Sequence, residues 1–281
     1  MSSEHIQLSV IIVSFNTAKL TLQTVQSVID DAISTPSLSK STEIILIDNN
    51  SIDDTLKEIN SLKKQTKFPI TIIRNHENLG FAAANNQGIA TSKGSCILLL
   101  NSDTVVKSKT LVKLVSSLEP KPSFPNLGIV AASLQNDDGS YQSQGGSIPT
   151  LVRLATQMLG IDDIPVLGTL LPSIQETRLI HSHLTKQNDV LSGLYQVGWV
   201  GGTAMMIRRS VVETIGDLDD SIFMYAEDIE YCMRAHDHHI ACAIHSGAPI
   251  VHLKNASGSE DHAIVGEAKG ILYLWAKHRP L

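Results

Sequence analysis

Cys96-Ile97-Leu98-Leu99-Leu100-Asn101-Ser102-Asp103 decides how the rest of this chain is read. Five apolar residues stop abruptly at Asn-Ser-Asp. A run this short, without alternation and bounded by polar residues, suits a strand buried on both faces. Such strands occur in sheets covered by helices on each side, where ligands bind in the crevice beyond the carboxyl ends of the strands. A carboxylate at that end is a candidate for chemistry, so Asp103 is the first residue to test.

Outward from this run the pattern repeats. Leu8 to Phe15 reads as a buried strand, followed by a helix capped by Asn16 or Thr17 with Leu20, Leu22, Val25, Val28 and Ile29 at helical spacing. Glu43 to Ile47 is a second strand ending in Asp48-Asn49-Asn50, with a helix opening after Asp53-Asp54. Ile70 to Arg74 is a third, and Phe81 to Ala90 the helix after it. Strands separated by helices predict a parallel α/β sheet, and right-handed crossovers put its strand ends on one edge. Neither GxGxxG nor GxxxxGK[ST] is present, so dinucleotide and P-loop readings lose their main support.

Further on, a helix is expected over Lys109 to Leu118 and a strand over Leu127 to Ala132. Residues 135–196 are irregular but apolar, and read as a cap over the crevice, with a helical stretch over Leu151 to Leu159. Regularity returns with VGWVGGTAMMIRR from Val197, a glycine-rich turn feeding a strand. A helix from Ser210 is stopped by Gly216. Asp217 to Tyr231 follows and continues as a helix to about Ala235, with Asp228 at the helix start next to Glu227. A strand over Ala241 to His245 and a last helix over Glu260 to His278 complete the chain.

Composition narrows the function. With 281 residues, 42% hydrophobic and 18% charged, the chain is a globular α/β domain. A formal charge of −6 leaves no basic footprint for nucleic acid. No apolar run approaches the roughly 20 residues that span a bilayer, and Met1 to Gln7 lacks the features of a signal peptide. Cys96, Cys232 and Cys242 form no CxxC pair and read as reduced, buried thiols. A cytoplasmic protein is expected.

Three carboxylate clusters and one late histidine carry candidate chemistry. Asp48, at a strand end, suits acceptance of hydrogen bonds from a base or ribose. Asp103 is a hard oxygen ligand for Mg²⁺ or Mn²⁺, and His252 an imidazole that Mn²⁺ tolerates better than Mg²⁺. Glu227 and Asp228 are adjacent like charges, which raise at least one pKa and so suit a general base.

In order, the segments LSVIIVSFN, EIILIDNNSIDDT, NLGFAAANNQGI, ILLLNSDT, WVGGTAMMIRR, GDLDDSIFMYAEDIEYCMR and IVHLKNASGS resemble the family two glycosyltransferases. Within these the chain is most similar to the bacterial branch containing rhamnosyltransferases and O-antigen enzymes. The resemblance implies a GT-A fold: a Rossmann-like, mostly parallel central sheet flanked by helices, with an acceptor-side cap. It implies one domain over residues 1–281, in which 1–133 binds the nucleotide-sugar and 134–281, including the cap at 135–196, binds the acceptor.

By the same resemblance Asp48 meets the nucleotide base, Ser14 and Asn16 lie beside the nucleoside, and Gly80 and Asn85 line the donor pocket. Asp103, the last carboxylate of a DxD-type motif, and His252 hold Mn²⁺ or Mg²⁺. Asp228 is the base, Glu227 its neighbour in the acceptor site, and Trp199 and Gly202 form the turn beneath sugar and acceptor. Donor and acceptor would be a nucleotide-diphospho-sugar (dTDP-rhamnose or a UDP-sugar) and a glycan or lipid-linked saccharide. Peripheral contact with the inner face of the plasma membrane would then suffice. Asn101-Ser102-Asp103 replaces the more usual Asn-Pro-Asp, and Gly198 stands where many relatives carry Asp. The rival classes are a sugar nucleotidyltransferase, disfavoured by Ser14-Phe15-Asn16-Thr17 where a glycine-rich phosphate loop belongs, and a non-catalytic nucleotide-sugar-binding subunit.

Overall fold

The structure is a computed structural model that describes residues 6–150, 152–153, 174, 193–253 and 260–278. The helical stretch expected over 151–159, most of the cap at 135–196, and residues 254–259 of the last motif lie outside the described residues.

Four strands, β1 (Leu8–Ser14), β2 (Thr42–Asp48), β3 (Ile70–Arg74) and β4 (Cys96–Asn101), alternate with α1 (Ala18–Ser34), α2 (Thr55–Gln65) and α3 (Phe81–Thr91). They pair in parallel in the order β3-β2-β1-β4. Their apolar residues divide between two cores. Leu98 and Leu100 of β4 join Val10, Val25 and Leu114 on one side, while Ile97 and Leu99 join Ile11, Ala84 and Met205 on the other. Burial on both faces is why the run at 96–100 shows no alternation.

The second half extends the same sheet. β5 (Thr104–Val106), α4 (Thr110–Ser117) and β6 (Leu127–Gln135) are followed by the short strands β7 (Tyr141–Gln142) and β8 (Gly145–Gly146). Then come β9 (Leu194–Val197), β10 (Trp199–Val200), β11 (Ala204–Arg208), α5 (Arg209–Ile215), α6 (Glu227–Asp237), β12 (Ala241–His252) and α7 (Glu260–His278). The full order is β3-β2-β1-β4-β11-β6-β12-β5, with β7 on β6, β9 on β12, and β8 paired to β10 apart from it. The described ends of the 135–196 segment are thus strands continuous with the sheet. β11 runs antiparallel to β4 and to β6, and β5 antiparallel to β12.

α6 begins at Glu227, where the Glu-Asp pair is expected to open a helix, directly after Tyr225 and Ala226 take left-handed conformations (φ 71° and 75°) that no helix continues through. Two expectations need correction. The late strand runs unbroken in name from Ala241 to His252, kinked by a register shift between His245 and Pro249. Neither Asn16 nor Thr17 caps α1 with its side chain. The Ala18 N–H donates instead to Asp53 Oδ2 at 2.9 Å, from the loop before α2.

Thr17 is occupied elsewhere. The hydroxyls of Ser14, Thr17 and Thr21 lie within 2.7 to 3.1 Å of one another, and Thr17 reaches Ser102 Oγ at 3.1 Å. One turn along α1, Thr24 Oγ1 donates to the carbonyls of Ser102 (2.9 Å) and Thr104 (2.7 Å) and accepts from the Thr104 N–H (3.1 Å). The β4–β5 turn is therefore fastened from α1, on both sides of Asp103. Likewise Asp31 of α1, not a local residue, caps α4 by accepting the N–H groups of Lys109 and Leu111.

Thr24→Val keeps shape but leaves buried backbone groups of Ser102 and Thr104 unpaired. Urea denaturation is expected to show a loss of about 1–3 kcal/mol, where an unchanged midpoint would remove Thr24 as the fastener.

Candidate active site

β5 is the element that builds the site. It starts one residue after Asp103 and pairs antiparallel with the end of β12, setting Thr104 opposite His252. The Leu253 N–H donates to the Asp103 carbonyl at 2.9 Å. Two residues 149 positions apart in sequence are thereby locked side by side, with His252 Nε2 3.3 Å from Asp103 Oδ1. Behind the imidazole, the Gln142 amide of β7 contacts Nδ1, through Nε2 at 3.0 Å or Oε1 at 3.3 Å. An amide at that position serves either tautomer: its NH₂ donates to a bare Nδ1, and its oxygen accepts from a protonated one. In the second state Nε2 is free to bind a metal.

The pair opens on a cleft of about 420 Å³ across the carboxyl ends of β1 and β4. Asp103, His252, Gly80, Trp199, Gly202, Glu227 and Asp228 all line it, joined by Asn49, Asn78 and Tyr225. A roomier groove of about 580 Å³ lies between α1 and α2, but it gathers no comparable set of converging groups. A carboxylate beside an imidazole, at a cleft otherwise rich in oxygen donors, fits two ligand positions of a divalent ion. No cluster of three protein ligands occurs among the described residues, so further ligands would come from substrate or water.

Asp228 and Glu227 occupy the first turn of α6. Asp228 Oδ2 accepts the Gly202 N–H at 2.9 Å and Oδ1 the Ile229 N–H at 2.8 Å. Glu227 is buried, and its Oε2 has no hydrogen-bond partner among the described residues. Burial, with the charge of Asp228 adding to it, raises the Glu227 carboxyl to about 8. Near neutrality this favours the protonated form of Glu227, which lessens repulsion between the two carboxyls.

The remaining expected residues divide. Gly80 has φ 82° and no space for a Cβ, because the Phe223 carbonyl packs on it while accepting the Phe81 N–H at 2.8 Å. Trp199 donates Nε1–H to the Ile174 carbonyl at 3.1 Å. Asp48 is fully buried at the end of β2, and neither carboxylate oxygen has a partner among the described residues. Asp48, Ser14, Asn16 and Asn85 do not line the cleft, though Asn49 beside Asp48 does. Ser14 belongs to the hydroxyl cluster under α1, Asn16 clips two loops through Ser51 and Ile52, and Asn85 donates to its own helix at Phe81. Its neighbour Asn86 makes the long-range link, exchanging two hydrogen bonds with the backbone of Leu218. Sequence reasoning passed over Asn49, whose Nδ2 donates to Asn78 Oδ1 and the Gly80 carbonyl while its Oδ1 accepts from Asn75. The run Asp48-Asn49-Asn50 after a strand was the available signal. Gln142 gave none. At Gly198 a Cβ would lie against the Ile148 N–H and 2.8 Å from the Ser147 carbonyl carbon, so no side chain is admitted there.

The described architecture and cleft are those of a GT-A-type α/β protein. Solved structures with the same fold include GalNAc-T7 with UDP, GalNAc and Mn²⁺ (TM-score 0.68, 17% identity, 98% of this chain and 48% of that one). Another is the mannosyltransferase PcManGT from Pyrobaculum calidifontis in complex with GDP-Man and Mn²⁺ (TM-score 0.62, 16% identity, 97% and 64%). The profile described as "Glycosyl transferase family 2" matches residues 9–216, and the chain belongs to that family. Among curated relatives it is 25% identical over 207 residues to the N-acetylglucosaminyl-diphospho-decaprenol L-rhamnosyltransferase of Mycobacterium tuberculosis strain H37Rv, covering 69% of this chain and 62% of the relative. It is 33% identical over 137 residues to the dolichyl-phosphate beta-glucosyltransferase of Dictyostelium discoideum, covering 46% and 40%. The chain spans under two thirds of the length of each of these proteins.

The raised Glu227 pKa sets a pH dependence. Between its ordinary value of 4.5 and about 8 the folded state holds a proton that the unfolded state has lost, so the stability tied to this proton declines as pH rises. Chemical denaturation from pH 5 to 8 is expected to show Glu227→Gln gaining on the parent as pH rises. Parallel curves would contradict the assignment.

Proposed function

We propose that this protein is an inverting, metal-dependent glycosyltransferase, moving a sugar from a nucleotide-diphospho-sugar to a hydroxyl of a glycan or lipid-linked acceptor. The observation that supports it is that Asp103, His252, Glu227 and Asp228, drawn from three separate segments, line one cleft at the carboxyl ends of the strands. Residues 1–281 act as one domain, with 1–133 on the donor side and 134–281 on the acceptor side.

Asp103 and His252 would hold Mn²⁺ or Mg²⁺, with Gln142 fixing the imidazole. When bound, the ion supplies positive charge to the diphosphate and so stabilises the leaving group. Asp48, a desolvated acceptor pair, takes a hydrogen bond from the nucleotide base. Asp228, its carboxylate oriented by the Gly202 and Ile229 N–H groups, accepts the acceptor's hydroxyl proton. The freed acceptor oxygen bonds to the anomeric carbon from the face opposite the leaving group. The carbon–oxygen bond to the diphosphate breaks, and its electron pair departs with the nucleotide. Glu227, neutral at working pH, donates a hydrogen bond into the acceptor site without adding charge beside the base. Enclosure of both substrates in one cleft contributes through orientation.

The donor is dTDP-rhamnose or a UDP-sugar, supported by the rhamnosyltransferase relative and the UDP-bound structural neighbour. Two curated relatives carry lipid-diphosphate or lipid-phosphate terms in their names, which supports a lipid-linked acceptor. No helix among the described residues is long and apolar enough to cross a membrane. Exposed Phe15 and Met224 at the cleft, with Phe223 beside them, offer an apolar rim for peripheral membrane contact in the cytoplasm.

Two variants test the reading. Asp228→Asn is expected to lower turnover of the donor by at least 10³-fold while nucleotide affinity stays within about two-fold; full activity removes Asp228 as base. Asp103→Ala is expected to abolish the Mn²⁺ dependence of UDP and dTDP binding in calorimetry, and unchanged titrations would sink the metal assignment.

A further inference from the structure

The segment that delivers Glu227 and Asp228 is backbone-strained, and nothing in its own sequence accounts for the strain. Tyr225 and Ala226 are consecutive left-handed residues, at φ 71° and 75°. Glycine, asparagine and aspartate tolerate that region; tyrosine and alanine do not favour it. Such a conformation persists only where the surroundings impose it.

Two elements grip the turn. On the donor side the Phe81 N–H at the start of α3 holds the Phe223 carbonyl. On the other side lies α7, with Gly266 and Gly270 one helical turn apart on the same face. A Cβ at Gly270 would stand 2.5 Å from the Tyr225 carbonyl oxygen and 2.7 Å from the Ala226 Cβ. A Cβ at Gly266 would press on the Tyr225 ring, 2.9 Å from Cε2. One turn beyond, buried Leu274 packs with Ala226 and with Met233 of α6.

The far end of α7 is fastened across the same turn. Lys277 Nζ bridges Asp219 Oδ2 (2.6 Å) and Glu230 Oε1 (2.7 Å), which stand on either side of it in sequence. The Tyr273 hydroxyl also donates to Asp219, at 2.7 Å. Helix α7 therefore both notches the turn and ties its two flanks together.

We propose that α7 is the element that sets the position of Asp228, with Gly266 and Gly270 as positioning residues that touch no substrate. A side chain at position 270 would push on the Tyr225–Ala226 backbone and one at position 266 on the Tyr225 ring, so glycine at both lets the turn sit close enough to aim the first turn of α6 at the Gly202 N–H. Its catalytic consequence rests on the reading of Asp228 as base.

The test uses the full chain with Gly270→Ala and Leu274→Ala, and Leu272→Ala, exposed on the same helix, as control. Hydrogen–deuterium exchange is expected to rise at least ten-fold over residues 222–232 in both test variants, with the amides of β1 to β4 within two-fold of the parent. The control should match the parent throughout. Hydrolysis of UDP-glucose, UDP-N-acetylglucosamine, dTDP-rhamnose and GDP-mannose with Mn²⁺ should show kcat lowered at least ten-fold with UDP and dTDP affinity retained. Unchanged exchange over 222–232, or equal loss of protection in β1 to β4, overturns the proposal. Should Gly270→Ala not fold, Leu274→Ala alone decides by the same exchange criterion. Asp228→Asn run alongside separates the two ideas: parental turnover in that variant removes the base assignment, while the exchange data still judge what holds the segment.

Discussion

Everything at the cleft depends on three residues of antiparallel pairing, Thr104 to Val106 against Ile250 to His252. A parallel α/β sheet by itself delivers strand ends to an edge but has no means of matching one particular side chain from the first half with one from the last. Here the chain turns back immediately after Asp103 and becomes the outermost strand beyond β12. Backbone hydrogen bonds, which tolerate no one-residue slip without reversing every side chain, then fix Asp103 and His252 at contact distance. The threonines of α1 reinforce this from beneath, since a turn anchored at both of its ends cannot swing its carboxylate away from the cleft.

A second arrangement of the same kind brings in Asp228. Gly202 comes from the turn before β11, which lies between β4 and β6, and its N–H meets a carboxylate from the first turn of α6. The first half of the chain is joined to the irregular stretch 217–226 through short polar links: Asn86 with Leu218, and the Phe81 N–H with Phe223. Burial raises the adjacent Glu227 carboxyl, which lessens repulsion within this acidic pair.

The fold was legible because its signals are local. Uninterrupted apolar runs between helical periods specify a buried parallel sheet, and β3 and α7 fall where the pattern put them. Of the site, the residues at strand ends and in the Glu-Asp pair were readable from residue type and position, and by resemblance. What escaped has no local signature. β5 is three residues of Thr-Val-Val whose identity as a strand depends on a partner 144 or more positions away. Gln142 is one polar residue among many in an irregular region. Ser14 and Asn85 sit in motif segments, yet hydroxyl clustering and an intrahelical hydrogen bond turn them from the cleft. The left-handed turn at Tyr225 and Ala226 was hidden because packing imposes it and not the residues' own preference.

The tight seat of Gly198 bears on how such proteins diverge. Its Cα faces the backbone of Ser147 and Ile148, so an aspartate at this position requires that strand-flanking segment to withdraw first. The two sites form a coupled pair in which the order of change matters: loosening at 147–148 opens position 198, whereas a side chain at 198 alone meets a wall. In a chain with this gap closed, a polar group at 198 is admitted only after the backbone at 147–148 has moved.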